Sequence, residues 1–423
     1  MSKNNENKLV PRLRFPEFRN ESWKDSELSK LGKTINGLNG KSSEDFGTGK
    51  PFVTYKQVFD SAKVDLSKCG RVVIKENENQ NTLLKGDILF TTSSETPHEV
   101  GYASVVLNEP NEPTYLNSFC FSFRPFSLKQ LQPEFSQYLF HSPTYRKSIG
   151  VLAQGITRFN ISKGAFLKIK VPLPKNPIEQ QKIAACLSSL DDVITAESKK
   201  LEVLKEHKKG LLQNLFPQEG ETVPKLRFKE FENSGEWEVK TLGEVFTSFS
   251  GGTPSTSKKM YYEGSIPFIR SAEINKTSTE LFLTDLGLRN SSAKMVSKGD
   301  LLVALYGANS GDVAISKIEG AINQAILCLK SEFSNSFVYH YLSGKKSWIV
   351  SKYIQGGQGN LSGEIVKSIS VSFPSKPEQQ KIAACLSSLD DLINAQSQKI
   401  ETLKLHKKGL LQGLFPDVNE HNG

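Results

Sequence analysis

The 423-residue chain is predicted to have a mixed α/β (α+β) fold: two modules separated by two long antiparallel coiled-coil helices in a pseudo-twofold tandem repeat. The main observation is a 39-residue segment that occurs twice, from Glu179 to Pro217 and from Glu378 to Pro416, with 31 positions identical. The longer stretches before the copies lack this identity. Their short alternating apolar runs are typical of strands, as in Ala103–Leu107, Phe119–Phe123 and Ile322–Leu329. The chain therefore keeps two helices nearly constant while two modules diverge.

Each copy of the repeat is predicted to form one long helix. Asn176 and Ser375 are capping residues that lie three positions before Glu179 and Glu378, which is the spacing of a capping box. Both copies end in Leu-Phe-Pro, and proline cannot continue a helix. At about 1.5 Å per residue, such a helix is about 58 Å long.

The apolar residues of both copies recur every 3.5 residues, which predicts a coiled-coil seam. Polar residues interrupt the seam at matching places, namely Glu197 with Gln396 and Lys208 with Lys407. Neither helix can bury its apolar seam alone, so we expect the two copies to pair with each other in an antiparallel arrangement. The alternative, pairing between the helices of two chains, stays open. The residues predicted to pack the pair are Leu187, Leu190, Ile194, Leu201, Leu204, Leu386, Leu389, Ile393, Ile400 and Leu403.

A shorter repeat precedes each module: Val10–Phe18 matches Val223–Phe231, and each is followed by a tryptophan. The chain is thus two half-chains in tandem. The predicted boundaries are a leader with the first module at 1–174, the first helix at 175–217, a leader with the second module at 218–374, the second helix at 375–416, and a tail at 417–423.

Composition places the chain among water-soluble intracellular proteins. There is no apolar run of about 18 residues, and the N-terminus lacks the apolar region of a signal peptide. Five cysteines without a CxxC pair are typical of a reduced, cytoplasmic protein. The net charge of +9 lies almost wholly outside the two helices, which favours modules that contact a phosphate backbone.

Catalytic and metal-binding signatures are absent from the sequence, so neither catalytic nor metal-ligating residues are predicted. The segment Gly37–Ser42 ends like a phosphate-binding loop but has two residues between its glycines instead of four. Neighbouring side chains on a helix point about 100° apart, so the two members of each pair, Asp191–Asp192 and Asp390–Asp391, are poorly placed to bind one metal ion. Both pairs are interpreted as parts of solvated helix faces. His207 and His406 have no partner at ligand spacing.

Several motifs together resemble the specificity subunit of type I restriction–modification systems. The most specific are the Glu-Gln-Gln-Lys-Ile-Ala start after a proline and the Lys-Lys-Gly-Leu-Leu-Gln-x-Leu-Phe end of each helix. The second module adds Gly251–Pro254, Gly264–Ile269, Leu301–Gly307 and Gly320–Gln324, which are similar to target recognition domains of that family. The first module departs more, and its glycines from Gly37 to Gly40 are loose counterparts.

The resemblance implies a non-catalytic DNA-binding subunit that binds no cofactor itself. Each module would read one half of a split site on double-stranded DNA, and the helix pair would set the gap. Two modification subunits would use S-adenosylmethionine to methylate adenine, and restriction subunits would use ATP and magnesium to cleave DNA. The alternatives are a coiled-coil adaptor and the specificity subunit of a methyltransferase-only system.

Residues that would contact DNA are predicted from side-chain chemistry, since Arg, Lys, Asn, Gln, Ser and Thr read base edges. The candidates lie near glycine-rich turns or in segments that match between the modules. In the first module they are Lys56, Gln57, Thr92, Ser93, Arg158 and Asn160, and in the second they are Arg270, Ser271, Tyr306, Asn309, Gln358 and Asn360.

Overall fold

The computed structural model describes residues 9–97, 99–155, 158–331, 334–353 and 360–416. The chain forms two compact units, one of residues 1–197 with 399–423 and one of residues 198–398. The predicted tail at 417–423 and the candidate Gln358 lie outside the described residues. Within the described part of the chain, no helix has both the length and the apolar character that crossing a membrane requires.

The first unit contains short strands and helices followed by one long helix, α5, which continues into the second unit. Its strands are β1 (Trp23–Glu27), β2 (Gly32–Asn36), β3 (Phe46–Val53), β4 (Gly70–Val72), β5 (Ile88–Thr91), β6 (Ser93–Ser94), β7 (Ala103–Val105), β8 (Tyr115–Leu116), β9 (Cys120–Pro125), β10 (Phe159–Asn160) and β11 (Lys170–Pro174). Its helices are α1 (Tyr55–Asp60), α2 (Pro133–Leu139), α3 (Pro143–Gly150), α4 (Lys163–Leu167) and α5 (Pro177–Asn214).

The second unit repeats this plan and ends with the long helix α10, whose last turns belong to the first unit. Its strands are β12 (Glu238–Thr241), β13 (Thr247–Ser250), β14 (Tyr262–Ile269), β15 (Leu281–Leu283), β16 (Lys294–Val296), β17 (Leu301–Ala304), β18 (Val313–Ile315), β19 (Gly320–Ile322), β20 (Ile326–Lys330) and β21 (Ser370–Phe373). Its helices are α6 (Leu242–Val245), α7 (Asp285–Arg289), α8 (Asn335–Tyr353), α9 (Gly363–Ser368) and α10 (Lys376–Leu414).

Both modules are built on the same sheets despite their different sequences. The order β2-β9-β5-β7 in the first module corresponds to β13-β20-β17-β18 in the second, and both sheets are antiparallel. A second sheet has the order β4-β3-β8 in one module and β15-β14-β19-β16 in the other. Each of these contains one parallel pair, β3 with β8 and β14 with β19. The predicted mixed α/β class is confirmed.

An asparagine turn divides the apolar run from Ile322 to Leu329. The apolar run from Ile322 to Leu329 was predicted as one strand, but β19 ends at Ile322 and β20 begins at Ile326. Between them the Asn323 Oδ1 atom accepts a hydrogen bond from the Ala325 backbone N–H at 3.1 Å. An asparagine side chain that bonds its own backbone two residues on forms a turn, which explains the break.

The core of each unit joins the start of one long helix to the end of the other. In the first unit the Trp23 ring lies 6.2 Å from Phe135 and 5.9 Å from Phe415 between ring centroids. In the second unit Trp237 lies 6.4 Å from Phe216 and 5.9 Å from the ring of Phe337. Each repeated tryptophan therefore packs against the phenylalanine at the end of one copy of the repeat, Phe415 in the first unit and Phe216 in the second.

The predicted packing residues occupy the buried and half-buried side of the long helices. Leu187 and Leu386 are fully buried within the two cores, and Leu389 and Ile400 are 7% and 4% exposed. The six partly exposed residues are Leu190, Ile194, Leu201, Leu204, Ile393 and Leu403. Their period is that of a coiled-coil seam, and α5 and α10 run antiparallel in each unit.

The two lysines that interrupt the seam, Lys208 and Lys407, form ion pairs between the two helices. In the first unit Lys407 Nζ lies 2.5 Å from Asp191 Oδ1, and in the second Lys208 pairs with Asp390. The interpretation of these two aspartates as solvated residues is therefore wrong. Antiparallel pairing brings the lysine near the end of one copy to the aspartate near the start of the other, a relation between distant residues that sequence spacing does not show.

The start of each long helix is held by the leader segment rather than by the predicted capping box. The Glu179 carboxylate accepts from Arg14 Nε at 2.7 Å, Arg14 Nη2 at 2.8 Å and Trp23 Nε1 at 3.0 Å. Arg227 makes the same two-pronged contact with Glu378, at 2.7 and 2.8 Å. Because these carboxylates face the arginines, the prediction that they turn back to cap the helix is wrong.

Candidate nucleic-acid interface

Three segments of the first module meet at one place, which we call the first tip: residues 92–94, 117–119 and 158–161. The Thr92 backbone N–H donates to the Phe119 carbonyl at 3.0 Å, and the Ile161 N–H donates to the Thr92 carbonyl at 3.0 Å. The short antiparallel strand pair β6–β10 also lies in the first tip. These bonds bring loops that are far apart in the sequence onto one surface.

The second module has the same backbone arrangement in the second tip, formed by residues 305–309, 323–325 and 360–361. The Leu305 N–H donates to the Ala325 carbonyl at 2.8 Å, and the Leu361 N–H donates to the Leu305 carbonyl at 2.7 Å. Position 92 thus corresponds to 305, 119 to 325 and 161 to 361. The two tips share a backbone scaffold and differ in the side chains they carry.

A glycine next to each tip also corresponds between the modules, although the sequences align loosely here. A Cβ atom on Gly37 would lie 2.2 Å from the Asn117 carbonyl oxygen, and one on Gly251 would lie 1.8 Å from the Ile322 carbonyl oxygen. Only glycine permits so close an approach of two backbones. Gly37, which is only a loose counterpart in sequence, therefore has the same structural role in the first module as Gly251 has in the second.

Four of the six candidates in the first module lie in the first tip: Thr92, Ser93, Arg158 and Asn160. Arg158 and Asn160 are exposed, and Asn160 Nδ2 donates to the Arg158 carbonyl at 3.3 Å. Ser93 is only 4% exposed, and its carbonyl accepts from the Tyr55 hydroxyl at 2.7 Å. Arg158 and Asn160 therefore offer more accessible surface to a ligand than Ser93.

The other two candidates of this module, Lys56 and Gln57, lie on α1 outside the first tip. Lys56 is exposed, and its Nζ atom lies 2.7 Å from Asp60 Oδ2. Gln57 Nε2 donates to the carbonyls of Asp65 at 3.1 Å and Lys68 at 3.3 Å. The Gln57 amide thus holds the loop after α1, while Lys56 stays accessible on the surface.

Three candidates of the second module meet in the second tip: Tyr306, Asn309 and Asn360. The Asn360 Oδ1 atom accepts from the Gly307 N–H at 3.2 Å, and the Asn309 carbonyl accepts from the Asp312 N–H at 2.8 Å. Tyr306 is 41% exposed, so its ring and hydroxyl group reach solvent. The structure places these candidates together although about 50 residues separate them along the chain.

Arg270 and the half-buried Ser271 follow the end of β14, where Ile269 pairs with Ile322 just before the tip segment 323–325. Arg270 binds Glu273 at 2.9 and 3.1 Å and Glu280 at 2.5 Å. Burial raises the pKa of Glu273, but hydrogen bonds from Arg270 and from the Glu280 N–H outweigh it and lower the pKa to about 2. The hydrogen bonds to both carboxylates raise the pKa of Arg270, whose guanidinium is committed within the module.

Phe119 is an exposed tip residue that the sequence pattern did not single out. It was assigned to an alternating strand with Phe121 and Phe123, which are fully buried, but Phe119 is 54% exposed. The Asn117 Oδ1 atom accepts from the Phe119 N–H at 2.9 Å, so β9 begins only after it. The asparagine two positions earlier is the sequence signal that could have revealed this turn.

Phe119 borders a surface cleft of about 450 Å³ on the first module. The guanidinium carbon of Arg158 lies 5.5 Å from the centroid of the Phe119 ring. The cleft is lined by Tyr55, Phe59, Ser94, Glu95, Glu99, Phe119 and Arg158. Among the residues that the structure describes, no cluster of three or more His, Cys, Asp or Glu side chains is placed to hold a metal ion.

The sequence profile for the type I restriction modification DNA specificity domain matches residues 20–206 and 234–405, and so covers both modules. The chain belongs to this family. The family resemblance stated from the helix motifs is therefore confirmed, and each matched segment includes one tip.

Relatives in this family are similar to the chain over much of its length. The chain is 28% identical to the putative type I restriction enzyme MjaX specificity subunit of Methanocaldococcus jannaschii, over 93% of each chain. It is 28% identical to the EcoR124I/EcoR124II specificity subunit of Escherichia coli, over 56% of this chain and 58% of the relative.

Two solved structures share the fold. A type I restriction–modification S subunit from M. genitalium has a TM-score of 0.60 at 17% identity, covering 97% of this chain and all of the other. A chain from a study of complex assembly in a type I R-M system has a TM-score of 0.61 at 16% identity, covering 93% and 97%. Both matches extend over more than nine-tenths of this chain, so the shared fold includes both modules and both long helices.

Proposed function

We propose that this chain is the sequence-specific DNA-binding subunit of a type I restriction–modification complex, in which each module reads one half of a bipartite site. The pair of tips carries this proposal. Their backbone bonds correspond one by one, while their exposed side chains differ, as expected of two readers of different sequences. Family membership and the basic charge of the chain outside its helices support the same role.

In this proposal the two long helices set the spacing of the half-sites and form the scaffold for the partner subunits. Each helix contributes residues to both compact units, so the helices are the parts of the chain that the two modules share. The ion pairs of Lys407 with Asp191 and of Lys208 with Asp390 hold the two helices in one register. A fixed register is what a spacer between two reading modules needs.

The partners in this proposal are two modification subunits, which use S-adenosylmethionine, and restriction subunits, which use ATP and magnesium. This chain would contribute recognition, and its partners would carry out methylation and cleavage. A methyltransferase-only complex would use the chain in the same way without restriction subunits.

The test is to express the chain with its candidate modification subunit in a host without DNA methylation and to locate modified adenines by long-read sequencing. We expect a motif with two defined halves around a gap of fixed length. Expression of the modification subunit alone is the control and should leave the DNA unmodified. A complex that assembles but neither methylates DNA nor binds duplexes in a salt-dependent way would favour the coiled-coil adaptor.

A further inference from the structure

We infer that Phe119 and Arg158 act as one specificity-determining unit of the first module, which reads the methyl group of a thymine beside a guanine. This inference rests on the proposed function and adds the bases that one module recognises. It starts from two observations, the 54% exposure of Phe119 and the position of the Arg158 guanidinium 5.5 Å from its ring centroid. A large exposed apolar ring held beside a cation is a feature of a binding surface rather than of a core.

The comparison of the two tips separates the scaffold from the reading positions. Phe119 and Ala325 accept corresponding backbone bonds, from Thr92 at 3.0 Å and from Leu305 at 2.8 Å. Accepting this backbone hydrogen bond does not require an aromatic residue, because Ala325 accepts it in the second module. Ala325 is only 9% exposed. The Phe119 ring is thus an addition to the shared scaffold, which is where two readers of different sequences are expected to differ.

The charges around the cleft favour base edges over the phosphate backbone. Arg158 lines the cleft together with two acidic residues, Glu95 and Glu99, and the Ser94 hydroxyl donates to Glu99 Oε2 at 3.0 Å. Two carboxylates against one guanidinium repel phosphate groups. A carboxylate accepts from the cytosine N4 amine, and arginine donates to guanine O6 and N7, so the cleft matches both bases of one G·C pair.

The chemistry of the Phe119 ring selects the neighbouring base. Phenylalanine has no hydrogen-bonding group, and the apolar group that distinguishes one base pair in the major groove is the thymine methyl. The cation–π contact between the Arg158 guanidinium and the ring limits the conformations of both side chains before DNA arrives. Together, Phe119 and Arg158 therefore offer an apolar contact next to a forked hydrogen-bond donor.

The test begins with the full-length chain and a pool of randomised duplexes, from which the bound fraction is sequenced. We expect a split motif in which the half altered by Arg158→Ala contains a thymine beside a guanine. Replacement of that thymine by uracil removes only the methyl group and should weaken binding by the wild type about fourfold. Phe119→Ala should bind the thymine and uracil duplexes equally, while Arg158→Ala should lose about tenfold in preference for the guanine.

Matched variants distinguish a change in base recognition from a loss of the folded structure. Phe126 lies beyond the opposite end of β9, is 63% exposed, and its change to Ala should leave the motif and the uracil effect unchanged. Phe119→Leu keeps an apolar side chain and should stay sensitive to uracil. An unchanged preference for the other half-site checks that each variant is folded.

The outcomes separate this inference from the proposed function. A split motif without a thymine in the first half, or a uracil effect that persists in Phe119→Ala, would overturn the inference and leave the proposed function standing. Loss of both half-site preferences in Phe119→Ala would make the residue structural and would also overturn it. A wild-type chain that selects no sequence at all would overturn both.

Discussion

At the scale of single residues, the most constrained contacts are the buried pairs of Arg14 with Glu179 and of Arg227 with Glu378. In each pair both side chains are at most 8% exposed, and the guanidinium makes two hydrogen bonds to one carboxylate. The hydrogen bonds that Arg227 donates to the Glu378 carboxylate raise the pKa of Arg227. These contacts explain why the short leader and the start of the long helix are both repeated in the sequence.

Removal of Arg14 tests this explanation. Arg14→Ala leaves the Glu179 carboxylate buried without its cation, so the free energy of unfolding should fall by about 3–5 kcal/mol in chemical denaturation. The control is Lys182→Ala, which breaks an ion pair with Glu17 whose side chains are 48% and 42% exposed, and it should change stability far less than Arg14→Ala does. Equal effects of the two changes would contradict a structural role for the buried pair.

Two histidines, the half-buried His141 of the first unit and the fully buried His340 of the second, predict a pH dependence of stability. Burial lowers the pKa of both His141 and His340 to about 4, below the unfolded value of about 6.5. The folded state therefore binds fewer protons than the unfolded state between these values. Their contribution to stability is complete above about pH 6.5 and is lost as the pH falls towards 4, by up to about 1.4 kcal/mol per pH unit for each histidine.

The measurement is the free energy of unfolding at pH 7, 6 and 5 for the wild type and for His141→Gln and His340→Gln. Each variant should show a smaller loss of stability between pH 7 and pH 5 than the wild type does. His207→Gln changes an exposed helix residue and should follow the wild-type slope. Identical slopes for all four proteins would show that His141 and His340 are not the groups that titrate.

At the scale of elements, the long helices combine an apolar seam with ion pairs at matched positions. The half-buried pair of Lys407 and Asp191 has side-chain exposures of 30% and 33%, and the Tyr138 hydroxyl also donates to Asp191 at 2.9 Å. Such a pair adds little stability, but it disfavours other registers because a shifted helix would leave the lysine among apolar residues.

A double-mutant cycle measures this contact. Asp191→Asn and Lys407→Met should show a coupling energy of about 0.5–1 kcal/mol in chemical denaturation, because each change removes the same ion pair. The same cycle with Asp192→Asn should show a coupling near zero, since Asp192 is the exposed neighbour on the same helix. A coupling of equal size in both cycles would point to a general charge effect instead of a specific contact.

At the scale of the whole molecule, the helices are the part of the chain that both units share. The family profile covers both halves of the chain, so the proposed bipartite recognition depends on how these shared helices join two modules. Contact between the leader, one helix start and the other helix end gives each unit its own core. The modules can therefore diverge at their tips while the joining parts stay constant.

The proposed role of the helices as a spacer predicts the effect of insertions. Seven residues added to both helices at facing positions, after Lys199 and after Gln398, preserve the seam and add about 10 Å. The gap in the methylated motif should then lengthen while both half-sites stay the same. A three-residue insertion at the same places shifts the apolar stripe out of phase and should abolish methylation. A seven-residue variant with an unchanged gap would show that the helices do not set the spacing.

By itself, the sequence determined the long helices, their seam, the repeated leaders and the family, because period, repetition and motif are properties of neighbouring residues. Leu187 and Leu386, which the period assigned to the seam, are fully buried. The mixed class of the modules also followed from local alternation. The predicted DNA contacts at the tips remain predictions, since side-chain type alone cannot separate a contact from an ordinary loop residue.

Only the tertiary structure decided which distant groups meet. It paired Arg14 with Glu179 across 165 positions, and Lys407 with Asp191 across the helix pair, where local spacing had indicated a capping box and a solvated face. It also placed Phe119 at the surface beside Arg158, because an asparagine turn ends the alternation that would have buried its ring. Such partners depend on the order of strands and the direction of helices, which are set by packing of the whole chain.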